Sequence, residues 1–398
     1  MADRTVPSPF DPWTLGPRTL RNRIIKAATF EGVMPRGRVT DDLIAFHVAV
    51  ARGGAAMTTV AYCAVSPGGR VNRNTLVLGP EIVEDLHRLT DAVHAEGALA
   101  SAQIGHAGLV ADARSNGTPT LAPSTRFSAP AMGRVRAATE ADLATVVDDF
   151  RRATRAAIDA GFDAVEIHLG HNYLLSSFLS PNLNKRTDGY GGSIEARARF
   201  PRRVVEAVRD EAGDRIIVLA KLNMDDGVPG GLWLDESLLV GAMLEADGHL
   251  DAIELTGGSS LLNGMYFFRG DVPMREFIAV QPKLVGLGLR VLGHRIFPEL
   301  PFEEAFFLPS ARQFRQALTM PLILLGGINR LDTMEAAMAE GFEAVAMARA
   351  LLREPDLPNQ LRAGATAAGR CIHCNKCLPT IYRGTRCVLV EPVAEATG

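Results

Sequence analysis

The chain has 398 residues, of which 47% are hydrophobic and 22% are charged, and its formal net charge is −3. This composition is ordinary for a globular protein with a sizeable core. The small acidic charge, without a basic run, argues against nucleic acid or an anionic membrane as a partner. The N-terminus has no cationic segment followed by an apolar one, and no apolar run approaches the ~20 residues that span a bilayer, so we expect a cytoplasmic protein.

Short apolar runs alternate with longer amphipathic stretches along the chain. The eight strand candidates are Arg23–Ala28, Ala55–Ala61, Ala98–Ile104, Asp163–His168, Ile216–Leu222, Asp251–Thr256, Pro321–Gly326 and Glu343–Ala348. The helix candidates are Asp41–Ala51, Glu81–Glu96, Glu140–Ala160, Ile194–Glu211, Glu236–Ala246, Ser310–Leu318 and Asp332–Glu340. Strands that alternate with helices pair in parallel, and eight such units favour a closed (β/α)8 TIM barrel over an open sheet.

Two further segments lie outside this alternation. Gly257–Pro309, between the sixth and seventh strands, is rich in phenylalanine and too long for a plain loop, so it is expected to form a lid, a substrate wall or a subunit contact. We assign residues 1–365 to the barrel and residues 366–398 to a cysteine-rich segment packed on it. A homo-oligomer is expected, although the sequence does not show its order.

The loops after the last two strands predict a phosphate site. Gly326 and Gly327 follow the seventh strand, and Ala348 and Arg349 follow the eighth. Small residues leave backbone N–H groups open at helix starts, and Arg349 adds a cation, at the place where barrels usually bind phosphate. The alternative is that the two glycines only turn the chain.

Strands three and five each carry a polar residue near the carboxyl end. Gln103 offers a donor and an acceptor, which suit the edge of a pyrimidine-like ring. Lys221 either extends outward to solvent or lies inside, against negative charge that develops in the site during a reaction. A phosphate site, a ring-edge amide and a buried cation at these strand ends together predict flavin mononucleotide, FMN.

The loop that leaves the fourth strand carries His168, His171 and Tyr173. Two imidazoles can donate hydrogen bonds to one oxygen, and a nearby phenol can give or take a proton. The alternative is structural, with His168 capping the strand, His171 in a turn and Tyr173 beginning a helix.

The sequence around these residues carries a family resemblance. H-x-x-H-x-Y is followed by LLSSFLSPNLNKRTDGYGGS and then by EARARF, an ordered run between Glu166 and Phe200. It resembles the signature of the old yellow enzyme family, and the nearest branch contains 2,4-dienoyl-CoA reductase and trimethylamine dehydrogenase. The resemblance covers nearly the whole chain and implies an FMN-binding TIM barrel.

The resemblance also implies positions along the flavin. The end of the first strand, Ala27, Ala28 and Thr29, matches the segment beside the flavin ring, Ala61 matches a small residue at the ring edge, and Gln103 matches the pyrimidine contact. Lys221 stands where most relatives carry Arg. The positive charge near the flavin N1 is therefore kept, but the paired N–H donors of a guanidinium are lost. Phe30 replaces a residue that is often Thr or Cys, so a covalent cysteinyl link there is excluded and the FMN is expected to be non-covalent.

The reaction implied is an ene-reduction. NAD(P)H reduces the flavin, His168 and His171 hold the carbonyl oxygen of an α,β-unsaturated substrate, hydride passes to the β-carbon, and Tyr173 protonates the α-carbon. One alternative is oxidative: amine dehydrogenation, demethylation or desaturation on the same flavin. A second alternative is a flavin and iron–sulfur electron carrier that turns over no substrate.

Four of the five cysteines crowd the C-terminal region. Cys63 stands alone in an apolar strand, whereas Cys371, Cys374, Cys377 and Cys387 follow a C-x2-C-x2-C-x9-C spacing. In a cytosolic chain this crowding favours a metal over disulfides. The segment resembles the iron–sulfur region of the dienoyl-CoA reductase branch, with slightly shorter gaps, so a 4Fe–4S cluster, a zinc ion and bare thiols all stay open. The further flavin- and nucleotide-binding domains of the large reductases are expected to be absent.

Overall fold

Eight parallel strands form the centre of the structure, a computed structural model that describes residues 6–281 and 283–390. They are β1 (Ile24–Lys26), β2 (Met57–Ala64), β3 (Leu99–Gly105), β4 (Ala164–Leu169), β5 (Ile217–Asn223), β6 (Ala252–Thr256), β7 (Leu322–Leu324) and β8 (Ala344–Met347). Each strand pairs with its neighbour in chain order. Because β1 also pairs with β8, through Ile24 opposite Val345, the sheet closes. The predicted (β/α)8 barrel is confirmed, and each strand lies within about three residues of its predicted bounds.

Helices surround the barrel on the outside. They are α1 (Asp41–Arg52), α2 (Val83–Ala95), α3 (Glu140–Asp159), α4 (Ile194–Ala212), α5 (Leu234–Asp247), α6 (Leu308–Ala317), α7 (Leu331–Ala339), α8 (Arg349–Arg353) and α9 (Leu357–Arg362). Local sequence sets several of their starts. The Thr40 side chain caps α1, and the Thr139 and Asp142 side chains form a capping box at α3.

The amino end of the barrel is closed by an N-terminal hairpin of two strands, Trp13–Leu15 and Arg18–Leu20, paired antiparallel. Its buried side chains join one hydrophobic cluster with interior residues of the barrel. The cluster consists of Trp13, Leu15, Leu20, Ile25, Ala27, Ala56, Met57, Ala164, Ile217, Leu219, Ala252, Ile323, Ala344 and Ala346. Since this end is packed with apolar side chains, polar chemistry is concentrated at the carboxyl end.

Two excursions depart from the barrel pattern. The predicted insertion after β6 contains three helices, Met265–Phe268, Met274–Val280 and Lys283–Ile296. A three-stranded sheet between β3 and α3, built from Leu121–Ala122, Arg126–Ser128 and Gly133–Ala137, was not predicted, because strands this short give no readable periodicity. Within the described part of the chain, no helix combines the length and apolar content needed to cross a bilayer.

The cysteine-rich segment contacts the barrel through its backbone. Gly369 N donates to Asn329 O (2.8 Å), and Thr385 N donates to Glu31 O (2.7 Å). A 3-10 helix, Leu378–Tyr382, lies between these two contacts. The domain boundary at residue 365 stays a prediction, and residues 391–398 of the second domain lie outside the described residues.

Candidate active site at the carboxyl end of the barrel

Lys221 lies between two carboxylates inside the barrel. Its Nζ donates to Glu166 Oε1 (2.9 Å) and to Glu254 Oε1 (2.5 Å), and all three side chains are buried. Gln103 Nε2 donates to the same Glu166 oxygen (2.7 Å). The side chains come from four neighbouring strands, β3 to β6, so one polar layer spans half of the barrel wall. The structure thus brings Gln103 and Lys221 together through Glu166.

Two carboxylates around one ammonium group leave an excess of negative charge. Burial raises the pKa of Glu254, and the nearby Glu166 carboxylate raises it further. Burial alone would lower the pKa of Lys221, but the two carboxylates outweigh it and the pKa is raised. Lys221 is therefore a permanent cation at this end of the barrel.

A second polar group connects the ends of β1 and β2. Lys26 is buried, and its Nζ donates to Ala27 O (2.6 Å) and Thr29 Oγ1 (2.7 Å), while burial lowers its pKa to about 8. Glu31 Oε1 accepts from the Ala61 backbone N–H (2.8 Å) and lies 3.1 Å from His47 Nε2. The predicted ring-edge residues Ala27, Thr29 and Ala61 are thus fixed by buried side chains. Ala28 lies in the same segment and packs against the buried cluster of Ala61, Tyr62 and Ala64.

His168, His171 and Tyr173 form one aromatic cluster where β4 ends. The ring centroids of His168 and His171 are 5.1 Å apart, and those of His168 and Tyr173 are 4.4 Å apart. Tyr62 adds an edge contact to Tyr173 at 5.1 Å. Gly105 makes this approach possible, because a Cβ there would lie 2.7 Å from the Tyr62 ring and 3.2 Å from His168 Cβ. The structure brings the three predicted residues together.

His171 is held by three separate contacts. Its backbone has φ 58°, in the left-handed region, and its N–H donates to Asn223 Oδ1 (3.0 Å). Its Nε2 lies 3.0 Å from Thr256 Oγ1, and its ring stacks on Phe267 with centroids 4.4 Å apart. The contacts come from β5, β6 and the insertion, so the ring is oriented before any ligand binds.

The electrostatics of the cluster keep both imidazoles neutral. Burial lowers the pKa of His168 well below its usual value, and the charges of His171 and Lys221 act in the same direction. Burial and Lys221 lower the pKa of His171 to about 3. Burial raises the pKa of Tyr173, so its hydroxyl stays protonated. The buried His168 Nδ1 has no hydrogen-bond partner among residues 6–281 and 283–390, which leaves it available to a ligand.

The residues of the predicted phosphate site follow β7 and β8, as expected. Gly326 and Gly327 have φ 108° and 78°, and a Cβ at either position would collide with the Phe307 or Phe306 ring. Ala348 precedes α8, at whose start Arg349 lies. The Arg349 Nη1 donates to Arg269 O (3.0 Å) in the insertion and to Asn375 Oδ1 in the cysteine loop.

The four clustered cysteines line a single cavity. Cys371, Cys374, Cys377 and Cys387 share it with Arg349, His373 and Asn375. Burial raises the pKa of Cys377 to about 11. Across the described residues, no three His, Cys, Asp or Glu side chains are close enough to hold one metal ion. The tail brings the thiols together, but not in the geometry of a single-ion site.

Sequence reasoning missed several neighbours of the predicted residues. Glu166 and Glu254 had a readable signal, since an acid within an otherwise apolar strand is rarely buried without a partner. Tyr62, Thr256 and Phe267 had none. Phe267 contacts His171 from 96 positions further along the chain, and neither periodicity nor motif spacing indicates a contact over that separation.

Comparisons with known proteins identify the class. The model of the NADH:flavin oxidoreductase / NADH oxidase family matches residues 8–253. The chain is 71% identical over 389 residues to the 4,4′-dithiodibutanoate disulfide reductase of Rhodococcus erythropolis, covering 98% of this chain and 96% of that protein. It is 35% identical over 377 residues to a metal reductase of Desulforamulus reducens, with 94% of this chain covered, and it spans about half (52%) of that protein.

A solved structure agrees on the fold. The old yellow enzyme homologue from Zymomonas mobilis matches with a TM-score of 0.71 at 23% identity, covering 92% of this chain and 96% of that one. The protein is therefore a flavin-dependent oxidoreductase on a (β/α)8 barrel. Within that class it belongs to the NADH:flavin oxidoreductase / NADH oxidase family, the old yellow enzyme type, and the resemblance read from Glu166 to Phe200 is confirmed.

We predict that His168 and His171 do not titrate in the physiological range. Because burial and Lys221 lower both pKa values, the ring ¹⁵N shifts of the two residues should stay at neutral-imidazole values from about pH 5 to 8. Histidine-labelled protein, assigned with His168→Gln and His171→Gln, allows the measurement, and the exposed His87 is the reference signal. Protonation of either ring near pH 6.5 would contradict the described electrostatics.

Proposed function

We propose that this chain uses NADH and FMN to reduce the sulfur–sulfur bond of a small organic disulfide at the His168–His171–Tyr173 cluster. The observation that carries the proposal is the buried His168 Nδ1, which has no partner in the described residues and lies beside a second neutral imidazole and a phenol. The substrate class is supported by the relative that shares 71% of its sequence over nearly the full length of both chains.

The residues at the ring end suit FMN. Gln103 supplies a donor and an acceptor, Lys221 supplies a buried positive charge, and the backbone from Ala27 to Thr29 and at Ala61 is held still. For the phosphate we propose the backbone of Gly326, Gly327 and Ala348 with the Arg349 guanidinium. In the structure Phe306 and Phe307 pack on the two glycines, and Arg349 donates to the Arg269 carbonyl oxygen. When bound, FMN accepts two electrons from NADH and passes them to the substrate.

Reduction of a disulfide creates charge on sulfur. One sulfur receives a hydride equivalent and becomes a thiol, the sulfur–sulfur bond breaks, and the other sulfur leaves with the bonding electrons as a thiolate. We propose that His168 and His171 donate hydrogen bonds to that thiolate. For His171 this requires that the Thr256 hydroxyl donates to Nε2, so that Nδ1 carries the proton. Because the pKa of Tyr173 is raised above that of a thiol, Tyr173 keeps its proton in this reaction, and water protonates the thiolate.

Ene-reduction is the second candidate, and the donor pair with a nearby phenol favours it. The two histidines would hold the carbonyl oxygen, and Tyr173 would protonate the α-carbon of the enolate. A carbanion is basic enough to take a proton from a phenol whose pKa is raised, whereas a thiolate is not. Tyr173 therefore separates the two reactions.

We predict that NADH-reduced enzyme is re-oxidised by 4,4′-dithiodibutanoate. His168→Ala with His171→Ala should slow this step by about 10²–10³-fold per lost donor, because the leaving thiolate is no longer stabilised. Tyr173→Phe should leave disulfide reduction near the wild-type rate but slow reduction of an enone by about 10²-fold or more. Anaerobic stopped-flow spectroscopy measures each half-reaction from the flavin absorbance.

Tyr190→Phe, at a partly buried tyrosine whose hydroxyl pairs with Arg203 on α4, is the matched control and should change neither rate. Rapid re-oxidation by an enone, with no re-oxidation by any disulfide, would reject the disulfide proposal in favour of the second candidate. Wild-type rates in the double histidine variant would reject the cluster as the site for both reactions.

For the tail we propose a 4Fe–4S cluster on Cys371, Cys374, Cys377 and Cys387. The thiols surround one cavity without converging on a single-ion position, and this supports a cluster over zinc. Protein purified without oxygen should contain about four iron and four sulfide per chain. Cys374→Ser with Cys377→Ser should abolish the iron, whereas Cys63→Ser, at a buried cysteine elsewhere, should not. Stoichiometric zinc, or thiols without metal, would contradict the cluster.

A further inference from the structure

Arg269 lies next to the aromatic cluster, in the insertion after β6. It directly follows the short helix Met265–Phe268, and Phe267 of that helix stacks on the His171 ring. Arg269 is therefore two positions along the chain from Phe267, the residue whose ring contacts His171. No sequence motif marks this arginine.

The guanidinium of Arg269 lies between two aromatic rings. Its central carbon is 5.5 Å from the Tyr266 ring centroid and 5.1 Å from the Phe306 ring centroid. Its Nε is buried and makes no hydrogen bond within residues 6–281 and 283–390. Asp225 interacts electrostatically with Arg269; burial raises the pKa of this carboxyl group, which accepts from the Tyr266 hydroxyl and from Gly227 N (2.9 Å). A cation held between aromatic faces with an unused N–H is suited to an oxyanion.

The backbone of Arg269 is fixed by the cysteine-rich tail. Its carbonyl oxygen accepts from Arg349 Nη1 (3.0 Å) and from Asn375 Nδ2 (3.0 Å). Asn375 Nδ2 also donates to Asp271 O (2.9 Å), and Gly270 N donates to Leu300 O (2.7 Å). Asn375 stands between Cys374 and Cys377, so the cysteine loop holds the segment that carries the arginine. A guanidinium on a fixed backbone loses little freedom when it binds an anion.

We propose that Arg269 binds a carboxylate of the substrate and makes the enzyme selective for disulfides with acidic ends. The inference rests on the proposed disulfide reduction and adds the feature of the substrate that is recognised. In 4,4′-dithiodibutanoate three methylene groups separate each sulfur from a carboxylate, so one end reaches away from the reacting sulfur. The partly exposed Tyr266 ring offers apolar surface to the methylene chain, and the guanidinium offers paired N–H donors to the carboxylate.

The phosphate of FMN is an alternative oxyanion ligand for Arg269. Phe306, which the guanidinium covers, also lies against Gly327 of the proposed phosphate site. The two ligands lead to different predictions. If Arg269 binds the FMN phosphate, its loss weakens FMN binding whichever substrate is used. If Arg269 binds a substrate carboxylate, its loss affects only acidic substrates.

The test compares Arg269→Gln with Arg275→Gln, which removes the same charge from an exposed position of the same insertion. With 4,4′-dithiodibutanoate, Arg269→Gln should raise KM by about 10- to 100-fold with little change in kcat, as expected for one lost charge-assisted hydrogen bond. With the neutral bis-amide of the same disulfide, KM should not change. Arg269→Lys should restore part of the selectivity, and Arg275→Gln should behave as the wild type.

FMN content and the flavin spectrum of each variant show whether the site is intact. Equal losses with the acid and the bis-amide, or weakened FMN binding in Arg269→Gln and Arg269→Lys, would overturn the carboxylate role. If the wild type reduces both disulfides equally well, the inference fails while the proposed function stands. If the wild type reduces neither disulfide, the proposed function itself fails.

Discussion

The buried ion-pair group of Lys221 with Glu166 and Glu254 is the constraint on which the site depends. Removing either partner of a buried ion pair typically costs about 3–5 kcal/mol, because a charge is left without compensation. The group links β4, β5 and β6, and Gln103 extends it to β3. Burial lowers the pKa values of His168 and His171, and the same positive charge lowers them further. One buried lysine thus links the strands of the barrel wall and helps to keep the nearby imidazole rings neutral.

A second consequence is that the site draws on three separate parts of the chain. The barrel supplies His168, His171 and Tyr173, and the insertion supplies Phe267 and Arg269. The tail supplies Asn375, whose amide binds backbone oxygens of the insertion at Arg269 and Asp271. The stacked rings of Phe302 and His373, with centroids 3.3 Å apart, add a further contact between insertion and tail. The cysteine-rich segment therefore helps to fix the position of the insertion through contacts that involve no metal.

Much of the fold could be predicted from the sequence, because the relevant signals are local. β4 is a short apolar run, and its loop residues His168, His171 and Tyr173 stand within six positions, so one motif marks them all. The role of Lys221 depends on carboxylates 55 and 33 positions away, and the motif does not reveal that pairing. The side-chain direction of Arg349 was beyond sequence reasoning too, since its partners lie in the insertion and the tail. Local pattern predicts which residues lie at the barrel mouth, whereas long-range packing decides what each of them contacts.

The central claim is that the substrate sulfur lies against the histidine pair at the carboxyl end of the barrel. The most direct measurement is a crystal structure of the FMN-loaded, reduced protein with the thiol product 4-sulfanylbutanoate. The account predicts the product sulfur within hydrogen-bond reach of both His168 and His171, over the flavin, with the carboxylate directed to the insertion. A product bound with its sulfur away from the two imidazoles, for example at the cysteine loop, would contradict it.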